Sequence, residues 1–338
     1  MAPTYKDIRA LTGLSLATIS KYFNGGTVRD ANRVLIVGAI ETLSYQVNDL
    51  ARGLRSRRSM TLGVVLAELN STFNTTIVSI MEERLRDEGY GTIMCNSRGS
   101  SEVEAEAIRF LIGKMVDGIV IIPVGDEVPG LVAATERGAP VVAIDRKIAD
   151  ADVDSVVIDN RAAIASAVDL LTVAGHTDIA LLAGPDTSFT MRERRIGFRD
   201  AVERNTGRVP RSPFVEPDAV SIEGGYDGLR RLLGLASPPT AVVCGNYEFT
   251  LGATIALNEF GEGTVPALVG FDNLELARVI RPRPTFVTQP IAQIADQAAQ
   301  LILQRLKGES TAEARTVVLK TELVIGDPST FTLRRTAP

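Results

Sequence analysis

Three polar side chains of this sequence follow apolar, strand-like segments and could bind a small molecule. They are Asp145, Asn246 and Asp272. Side chains that follow buried strands point into the crevice of an open α/β sheet, where ligands bind. Carboxylates and an amide that converge with an arginine can hydrogen-bond adjacent hydroxyls, and the ring of Phe73 could lie on the C–H face of a sugar. For any one of these residues, a strand-end cap or a surface ion pair is an equally good interpretation.

Residues for catalysis or for a cofactor are few. The single histidine, His176, follows Gly175, so a structural place at a helix–strand turn is preferred over a role as catalytic base or zinc ligand. The chain contains neither G-x-G-x-x-G nor GxxxxGK[ST] for nucleotide phosphates. Cys95 and Cys244 have no metal-ligand spacing and are predicted to be reduced core thiols. We therefore expect no enzyme, no cofactor and no metal.

The stretch Thr4–Asn24 predicts two short helices joined by a tight turn. Thr4 followed by Asp7 is typical of a capping box, and the turn Gly13-Leu14-Ser15 ends one helix and caps the next. The first helix should bury one apolar face formed by Tyr5, Ile8 and Leu11.

The second predicted helix has one buried and one outward face. Ile19 and Phe23 are expected to pack on the first helix, and the outward face then consists of Leu16, Ala17, Ser20 and Lys21. In a helix-turn-helix such a face offers apolar surface to thymine methyls and a cation to guanine. Neutral hydrogen-bonding groups suited to phosphate oxygens are Thr18, Ser20 and Asn24. Taken alone, the same helices could instead pack against another protein segment.

This segment resembles the DNA-binding headpiece of the lactose-repressor (LacI/GalR) family. The family pattern D-(I/V)-A-x-x-A-G-V-S-x-x-T-V-S-x-x-x-N is matched at Asp7-Ile8, Gly13-Leu14-Ser15, Thr18-Ile19-Ser20 and Asn24, and the similarity continues through Tyr45-Gln46-Val47-Asn48 and Ala51-Arg52-Gly53-Leu54-Arg55. The resemblance implies a hinge helix that enters the minor groove as a dimer, with Leu54 as its wedge and Ala51 and Arg55 beside it. It also implies phosphate contacts around Arg29 and Arg33.

Charge is distributed unevenly along the chain. The overall net charge is −5, but residues 1–58 hold nine Lys/Arg against four Asp/Glu. A basic N-terminal part on an acidic body is expected when only one end touches phosphate. The basic run Arg55-Ser56-Arg57-Arg58 is equally well explained as a solvated linker. No apolar leader and no run of eighteen apolar residues occurs, so we expect a cytoplasmic protein that does not span a membrane.

From Met60 onward, strand patterns alternate with helix patterns. Predicted helices are Ile77–Glu88, Glu102–Met115 and Ala162–Val173; predicted strands are Leu62–Leu66, Thr92–Cys95, Gly118–Ile122, Val141–Ile144, Ser155–Ile158, Ile179–Leu182, Ala241–Cys244 and Leu268–Phe271. Continuous apolar runs indicate strands buried on both faces, hence parallel sheets covered by helices. Two α/β lobes in tandem are predicted.

Further motifs of the same family recur in this region, among them Val116-Asp117-Gly118, Asp145-Arg146, Asp159-Asn160, Gly270-Phe271-Asp272 and Thr288-Gln289-Pro290. The resemblance implies a core similar to type I periplasmic sugar-binding proteins, with three crossovers and a ligand between the lobes. We predict an all-α helix-turn-helix headpiece (1–46), a hinge helix and linker (47–58), and an α/β two-lobe core of parallel sheets (59–338). The lobes would comprise about 60–159 with 290–319 and about 160–289 with 320–338.

By resemblance, the effector-contact positions of the family fall on Phe73, Asp145, Arg194, Asn246, Asp272 and Gln289, with Asn74, Thr190 and Val220 as variable neighbours. Asn74 replaces a common second aromatic, and Tyr247 a common aspartate. A polar wall at position 74 favours a hydroxylated ligand over a purine-like base.

The resulting hypothesis is a homodimeric repressor that binds a near-palindromic DNA operator under the control of a sugar-like small molecule. No leucine heptads follow Phe331-Thr332-Leu333, so no tetramer is expected. Two alternatives are a small-molecule binding protein that does not bind DNA and a regulator controlled by a protein partner.

We expect Leu54→Ala to weaken operator binding and to reduce DNA bending while leaving small-molecule binding intact. The physical reason is loss of the wedge that holds the central base step unstacked. Gel mobility shifts on circularly permuted operator fragments measure both quantities. Unchanged affinity together with an unchanged bend angle would show that Leu54 is not a wedge.

Overall fold

The computed structural model describes residues 3–23, 26–45, 58–148, 151–186, 188–207, 214–215, 220–260, 265–272, 279–309 and 313–333. The chain forms two compact units, Met1–Ser59 and Met60–Pro338.

Within its described residues, the first unit contains helices α1 (Tyr5–Thr12), α2 (Leu16–Phe23) and α3 (Asp30–Leu43). The predicted capping box is confirmed, since the Thr4 N–H donates to the Asp7 carboxylate at 2.7 Å. Gly13 ends α1 in the left-handed conformation (φ 69°), which glycine adopts without steric cost. Ser15 caps α2, because its Oγ accepts the Thr18 N–H at 3.1 Å.

The core of the first unit lies between these helices. Ile8 and Ile19 are fully buried, and the ring of Tyr5 stacks on Phe23 with 5.0 Å between centroids. The predicted packing of Ile19 and Phe23 is therefore confirmed. The prediction for Leu11 is wrong: this side chain is 55% exposed, because α3 covers a face of α1 that is centred on Ile8.

The second unit alternates strands and helices. Its strands are β1 (Thr61–Leu66), β2 (Gly91–Asn96), β3 (Gly118–Ile122), β4 (Val141–Ile144), β5 (Asp154–Ile158), β6 (Ile179–Leu182), β7 (Phe214–Val215), β8 (Ala241–Cys244), β9 (Ala267–Phe271), β10 (Thr285–Thr288), β11 (Thr316–Leu319) and β12 (Glu322–Val324). Its helices are α4 (Thr72–Asp87), α5 (Ser101–Gly113), α6 (Leu131–Glu136), α7 (Asn160–Val173), α8 (Phe189–Thr206), α9 (Ile222–Leu233), α10 (Tyr247–Glu259) and α11 (Ile291–Lys307), followed by a 3-10 turn at Pro328–Thr330.

Two six-stranded sheets define two lobes. The first lobe has strand order β11-β5-β4-β3-β1-β2 and the second β12-β10-β9-β8-β6-β7. Neighbouring strands are parallel, apart from the antiparallel pair β10 and β12. Strands β3, β4, β6 and β8 are buried along their whole length, as their continuous apolar runs predict. The predicted α/β two-lobe class is confirmed.

The chain passes between the lobes after β5, after β10 and after β11. The first and third crossings are joined by Asp159, whose Oδ1 accepts the Thr321 N–H at 2.9 Å and the Thr321 hydroxyl at 2.8 Å. The second and third are joined by the Thr288 hydroxyl, which donates to the Glu322 carbonyl at 3.2 Å. Hydrogen bonds thus connect the three crossings to one another.

His176 has the structural place that its sequence context predicts. It is buried in the second lobe, with Nδ1 2.9 Å from Thr240 Oγ1 and Nε2 3.0 Å from the Phe331 carbonyl oxygen. Both cysteines are free; Cys95 is half-buried, and burial raises the pKa of the Cys244 thiol to about 12. None of the helices in the described part of the chain combines the length and the hydropathy of a membrane span. In the same residues, no group of three His, Cys, Asp or Glu side chains could hold a metal ion.

Gly252→Ala should destabilise the second lobe by about 1–3 kcal/mol through overpacking. An added Cβ would overlap the Ile222 carbonyl oxygen and lie 2.6 Å from the Tyr226 nitrogen, where α9 and α10 meet. Gly113→Ala is the matched control, because nothing lies within 4 Å of its added Cβ. Urea unfolding measures both variants; equal stabilities would contradict the close helix contact.

Candidate ligand-binding cleft

Two aspartates occupy equivalent places in the two lobes. Asp145 follows β4 and its N–H donates to the Val156 carbonyl on the next strand at 2.9 Å; Asp272 follows β9 and its N–H donates to Val287 at 2.9 Å. Both have left-handed backbones, with φ of 74° and 58°. This conformation is uncommon for residues other than glycine and concentrates at functional sites. Each lobe thus presents a carboxylate beyond its strand ends.

Arg194, on α8, interacts electrostatically with both carboxylates. Its side chain is only 4% exposed. Nε donates to Asn160 Oδ1 at 2.8 Å, Nη1 donates to the Gly245 carbonyl, and the guanidinium lies 4.0 Å from the ring centroid of Phe271. Burial lowers the pKa of Arg194, whereas the charges of Asp145 and Asp272 act to raise it. Carboxylates of both lobes therefore act on one buried cation.

Asp272 is held by Gln289, which follows β10. The Gln289 N–H donates to Oδ1 at 3.0 Å, and its Nε2 donates to Oδ2. Gln289 Oε1 is buried and has no hydrogen-bond partner among the described residues. Burial raises the pKa of Asp272 to about 6, although Gln289 and Arg194 act in the opposite direction. The pair thus retains an unused acceptor and a carboxylate that is costly to ionise.

Asn246 is the N-cap of α10, since its Oδ1 accepts the Phe249 N–H at 2.8 Å. The alternative interpretation as a cap is therefore confirmed for Asn246. Asn246 adjoins Gly245, the residue that Arg194 contacts. Thr190, also buried, has its hydroxyl 3.1 Å from Ser188 Oγ.

The other predicted ligand residues, Phe73, Asn74 and Val220, differ in how deeply they are buried. Phe73 is partly buried against the first-lobe core, and Asn74 is buried with its Nδ2 donating to the Glu68 carbonyl at 2.8 Å. Burial raises the pKa of Glu248, and the charge of Glu68 raises it further. Val220 is 48% exposed.

Several residues of the cleft were missed by sequence reasoning. Arg146 and Asn160 belong to the family motifs Asp145-Arg146 and Asp159-Asn160, so the sequence did contain a pattern that could have identified them. Thr250 gave none, yet its hydroxyl accepts the Phe271 N–H at 2.8 Å and lies 2.7 Å from the Asn246 carbonyl oxygen, so it joins two strand ends. Glu248, whose charge acts on Arg194, also gave no local signal.

In the first unit, α2 exposes Leu16, Ala17 and Lys21, and α3 exposes Arg33. Thr18 is half-buried, with its hydroxyl 2.9 Å from Ser15 Oγ, and Ser20 is half-buried. The predicted contacts Asn24, Ala51, Leu54 and Arg55 lie outside the described residues.

Comparisons with known proteins agree with this architecture. The family model described as periplasmic binding proteins and sugar binding domain of LacI family matches residues 59–321. The HTH-type transcriptional regulator RegA of Clostridium saccharobutylicum is 29% identical, over 96% of this chain and 98% of its own. The ribose operon repressor of Escherichia coli is 28% identical, over 92% and 96%.

Solved structures agree as well. The lac repressor dimer bound to operator and an anti-inducer superposes with a TM-score of 0.85, at 25% identity, over 99% of this chain and 100% of that one. The complex of the transcriptional regulator CelR with cellobiose superposes with a TM-score of 0.71, at 28% identity, over 96% and 99%.

The fold and the cleft define a two-lobed core of the periplasmic-binding-protein type. The chain belongs to the LacI family. Like these relatives, it is a DNA-binding transcriptional regulator and not an enzyme.

Asp272→Asn should stabilise the ligand-free protein above pH 6 by roughly 0.5–2 kcal/mol, which is the common effect of a single stabilising substitution. The folded-state pKa of about 6 lies above the ordinary 3.8. Stability from protonation is therefore complete below about pH 4 and is lost as the pH rises through 6. The asparagine carries no charge, and the Gln289 amide can turn its unpartnered oxygen towards the new NH₂ group.

Urea unfolding between pH 4 and 8 measures this effect. The advantage of the variant should shrink as the pH falls from 6 to 4. Asp296→Asn is the matched control, because that carboxylate is 43% exposed in a surface pair with Arg84. A difference that does not change with pH, or a destabilised variant, would refute the buried-charge explanation.

Proposed function

We propose that this chain is a homodimeric repressor whose affinity for a near-palindromic operator is controlled by a sugar or a related hydroxylated metabolite. The observation that carries the proposal is the buried guanidinium of Arg194 beside Asp145 of one lobe and Asp272 of the other. This group and the hydrogen-bonding residues around it would contact the effector.

The chemistry of the cleft favours adjacent hydroxyl groups. Carboxylates accept from two neighbouring hydroxyls, while the second amino group of Arg194, the Nδ2 of Asn246 and the Oε1 of Gln289 supply further donors and acceptors. Phe73 could provide an apolar face, with Asn74, Thr190 and Val220 at the rim. The names of a ribose operon repressor and of a regulator–cellobiose complex among similar proteins support a sugar.

Control of DNA binding follows from the placement of Asp145 and Asp272 in different lobes. A ligand that contacts both favours one lobe arrangement over another, and the difference in affinity is the coupling free energy, typically ~1–3 kcal/mol. The hydrogen-bonded crossings at Asp159 and Thr288 would act as the hinge.

For the headpiece we propose residues 1–46, with 47–58 as hinge helix and 59–338 as the core. Leu16, Ala17 and Lys21 would contact base edges, and the phosphate and hinge contacts would be made by Thr18, Ser20, Asn24, Arg33, Ala51, Leu54 and Arg55. Two-fold symmetry of a dimer requires a near-palindromic site. The lac repressor dimer on its operator supports this arrangement. A DNA-binding regulator of this kind would act in the cytoplasm.

The test is thermal unfolding of the wild type and Asp272→Asn with a panel of sugars, polyols, sugar phosphates and nucleosides. A ligand at a hundredfold its dissociation constant should stabilise the wild type by about 2.7 kcal/mol. Asp272→Asn should not respond, because an essential acceptor is lost, whereas Asp296→Asn should respond as the wild type does. The active compound should also change the operator affinity of the wild type.

A compound that stabilises Asp272→Asn equally would place the effector elsewhere. No response to any compound would contradict a sugar-like effector and favour control by a protein partner. Deletion of residues 1–58 separates the remaining alternative: the proposed regulator loses DNA binding and keeps its ligand.

A further inference from the structure

Asp126 joins the two lobes. It lies in the loop between β3 and α6 of the first lobe, whereas α8 packs on α7 and β6 in the second. Asp126 Oδ1 accepts the Phe189 N–H at 2.9 Å, and Oδ2 accepts from Arg192 Nη2 at 2.7 Å. One carboxylate of the first lobe therefore makes two hydrogen bonds to the first turn of α8.

The Phe189 amide needs a partner from outside its helix. It is the first amide of α8, and the first amides of a helix have no intrahelical acceptor. Ser188, the N-cap, makes no side-chain cap hydrogen bond. Helices α9 and α10 are instead capped by the side chains of Ser221 and Asn246, the residues that directly precede them. Asp126 supplies the missing acceptor from the opposite lobe, and its negative charge is favourable at a helix N-terminus.

The loop that carries Asp126 is itself held in place. The Val124 N–H donates to the fully buried Glu104 at 2.8 Å, and the Val124 carbonyl accepts from Arg146 Nη1 at 2.6 Å. Arg146 Nη2 also lies 3.2 Å from Asp145 Oδ2. The loop position is thus connected to the first-lobe carboxylate of the cleft.

Helix α8 carries Thr190 and Arg194 shortly after Phe189, so the position of its first turn governs where these side chains lie. We propose that Asp126 is a positioning residue, which caps α8 from the opposite lobe and holds Arg194 in place for the effector. Loss of this cap shifts the lobes away from the arrangement in which the cap forms. The part of this inference that concerns the effector rests on the proposed function; the cap between lobes does not.

Hydrogen exchange of the full-length chain without ligand tests the cap, using fragmentation to single amides. In Asp126→Ala the Phe189 amide should exchange at least tenfold faster, because a charge-assisted hydrogen bond contributes about the free energy of a tenfold change. Asp126→Asn should give a smaller increase, since its oxygen still accepts. The Phe249 amide is the internal control, because its acceptor Asn246 lies in the same lobe.

Affinity for D-ribose, measured by calorimetry, is the second readout, and Asp126→Ala should weaken it about tenfold. Unchanged exchange at Phe189 would overturn the proposal whatever the D-ribose result. Faster exchange at both Phe189 and Phe249 would also overturn it, because it would indicate general loosening. Faster exchange at Phe189 alone with unchanged D-ribose affinity would overturn the positioning role. A wild type that does not bind D-ribose counts against that sugar as effector and against the positioning role for it, whereas exchange at Phe189 still decides the cap between the lobes.

Discussion

The burial of one positive charge, on Arg194, is the constraint on which the rest of the cleft depends. An ion removed from water costs several kcal/mol unless charges and hydrogen bonds compensate for it. Here the compensation comes from carboxylates on two lobes, an amide, a backbone carbonyl and the face of Phe271. Since no single lobe provides all of these groups, the cation also favours an arrangement in which the lobes are close together.

The groups around Arg194 are arranged at a cost to stability. Asp145 and Asp272 adopt left-handed backbones, burial raises the pKa of Asp272, and Gln289 keeps a buried oxygen without a partner in the described part of the chain. Such costs persist when the surrounding structure holds the residues in place. Here β5 and β10 do so by accepting the N–H groups of the two aspartates. Under the proposed function, hydroxyl groups of a ligand would relieve part of the cost, and this relief would make the affinity depend on the lobe arrangement.

The polar links between the lobes are of two kinds. At the crossings, Asp159 and Thr288 join backbone segments that pass between the lobes, so rotation of the lobes about these segments would leave the bonds in place. At α8, Asp126 joins side-chain and helix-end groups that rotation would separate. Under the proposed function, the first kind would limit movement of the lobes, and the second would bias the equilibrium between lobe arrangements. A ligand bound to both Asp145 and Asp272 would act on the same equilibrium as Asp126.

The amino-acid sequence by itself determined the class of this protein. Buried strands were predictable because parallel sheets covered on both faces require continuous apolar runs, as in Gly118–Ile122. The first residues of helices were harder to predict. Helix α4 begins at Thr72 instead of Ile77, because Ser71 caps a first turn that lacks the apolar periodicity of the rest of the helix. The partly exposed final strands β11 and β12 have no distinctive pattern, and pairing alone assigns them to different sheets.

Only the tertiary structure decided which polar residues meet and how. The contacts of Arg194 with Asn160 and Gly245, and of Asp126 with Arg192, join positions tens of residues apart. Local sequence spacing does not reveal contacts between positions so far apart in the chain. These contacts form when two sheets and three crossings bring strand ends together. The sequence motifs therefore indicated a ligand cleft, while packing made Gln289 a partner of Asp272 and Asp126 a link between lobes.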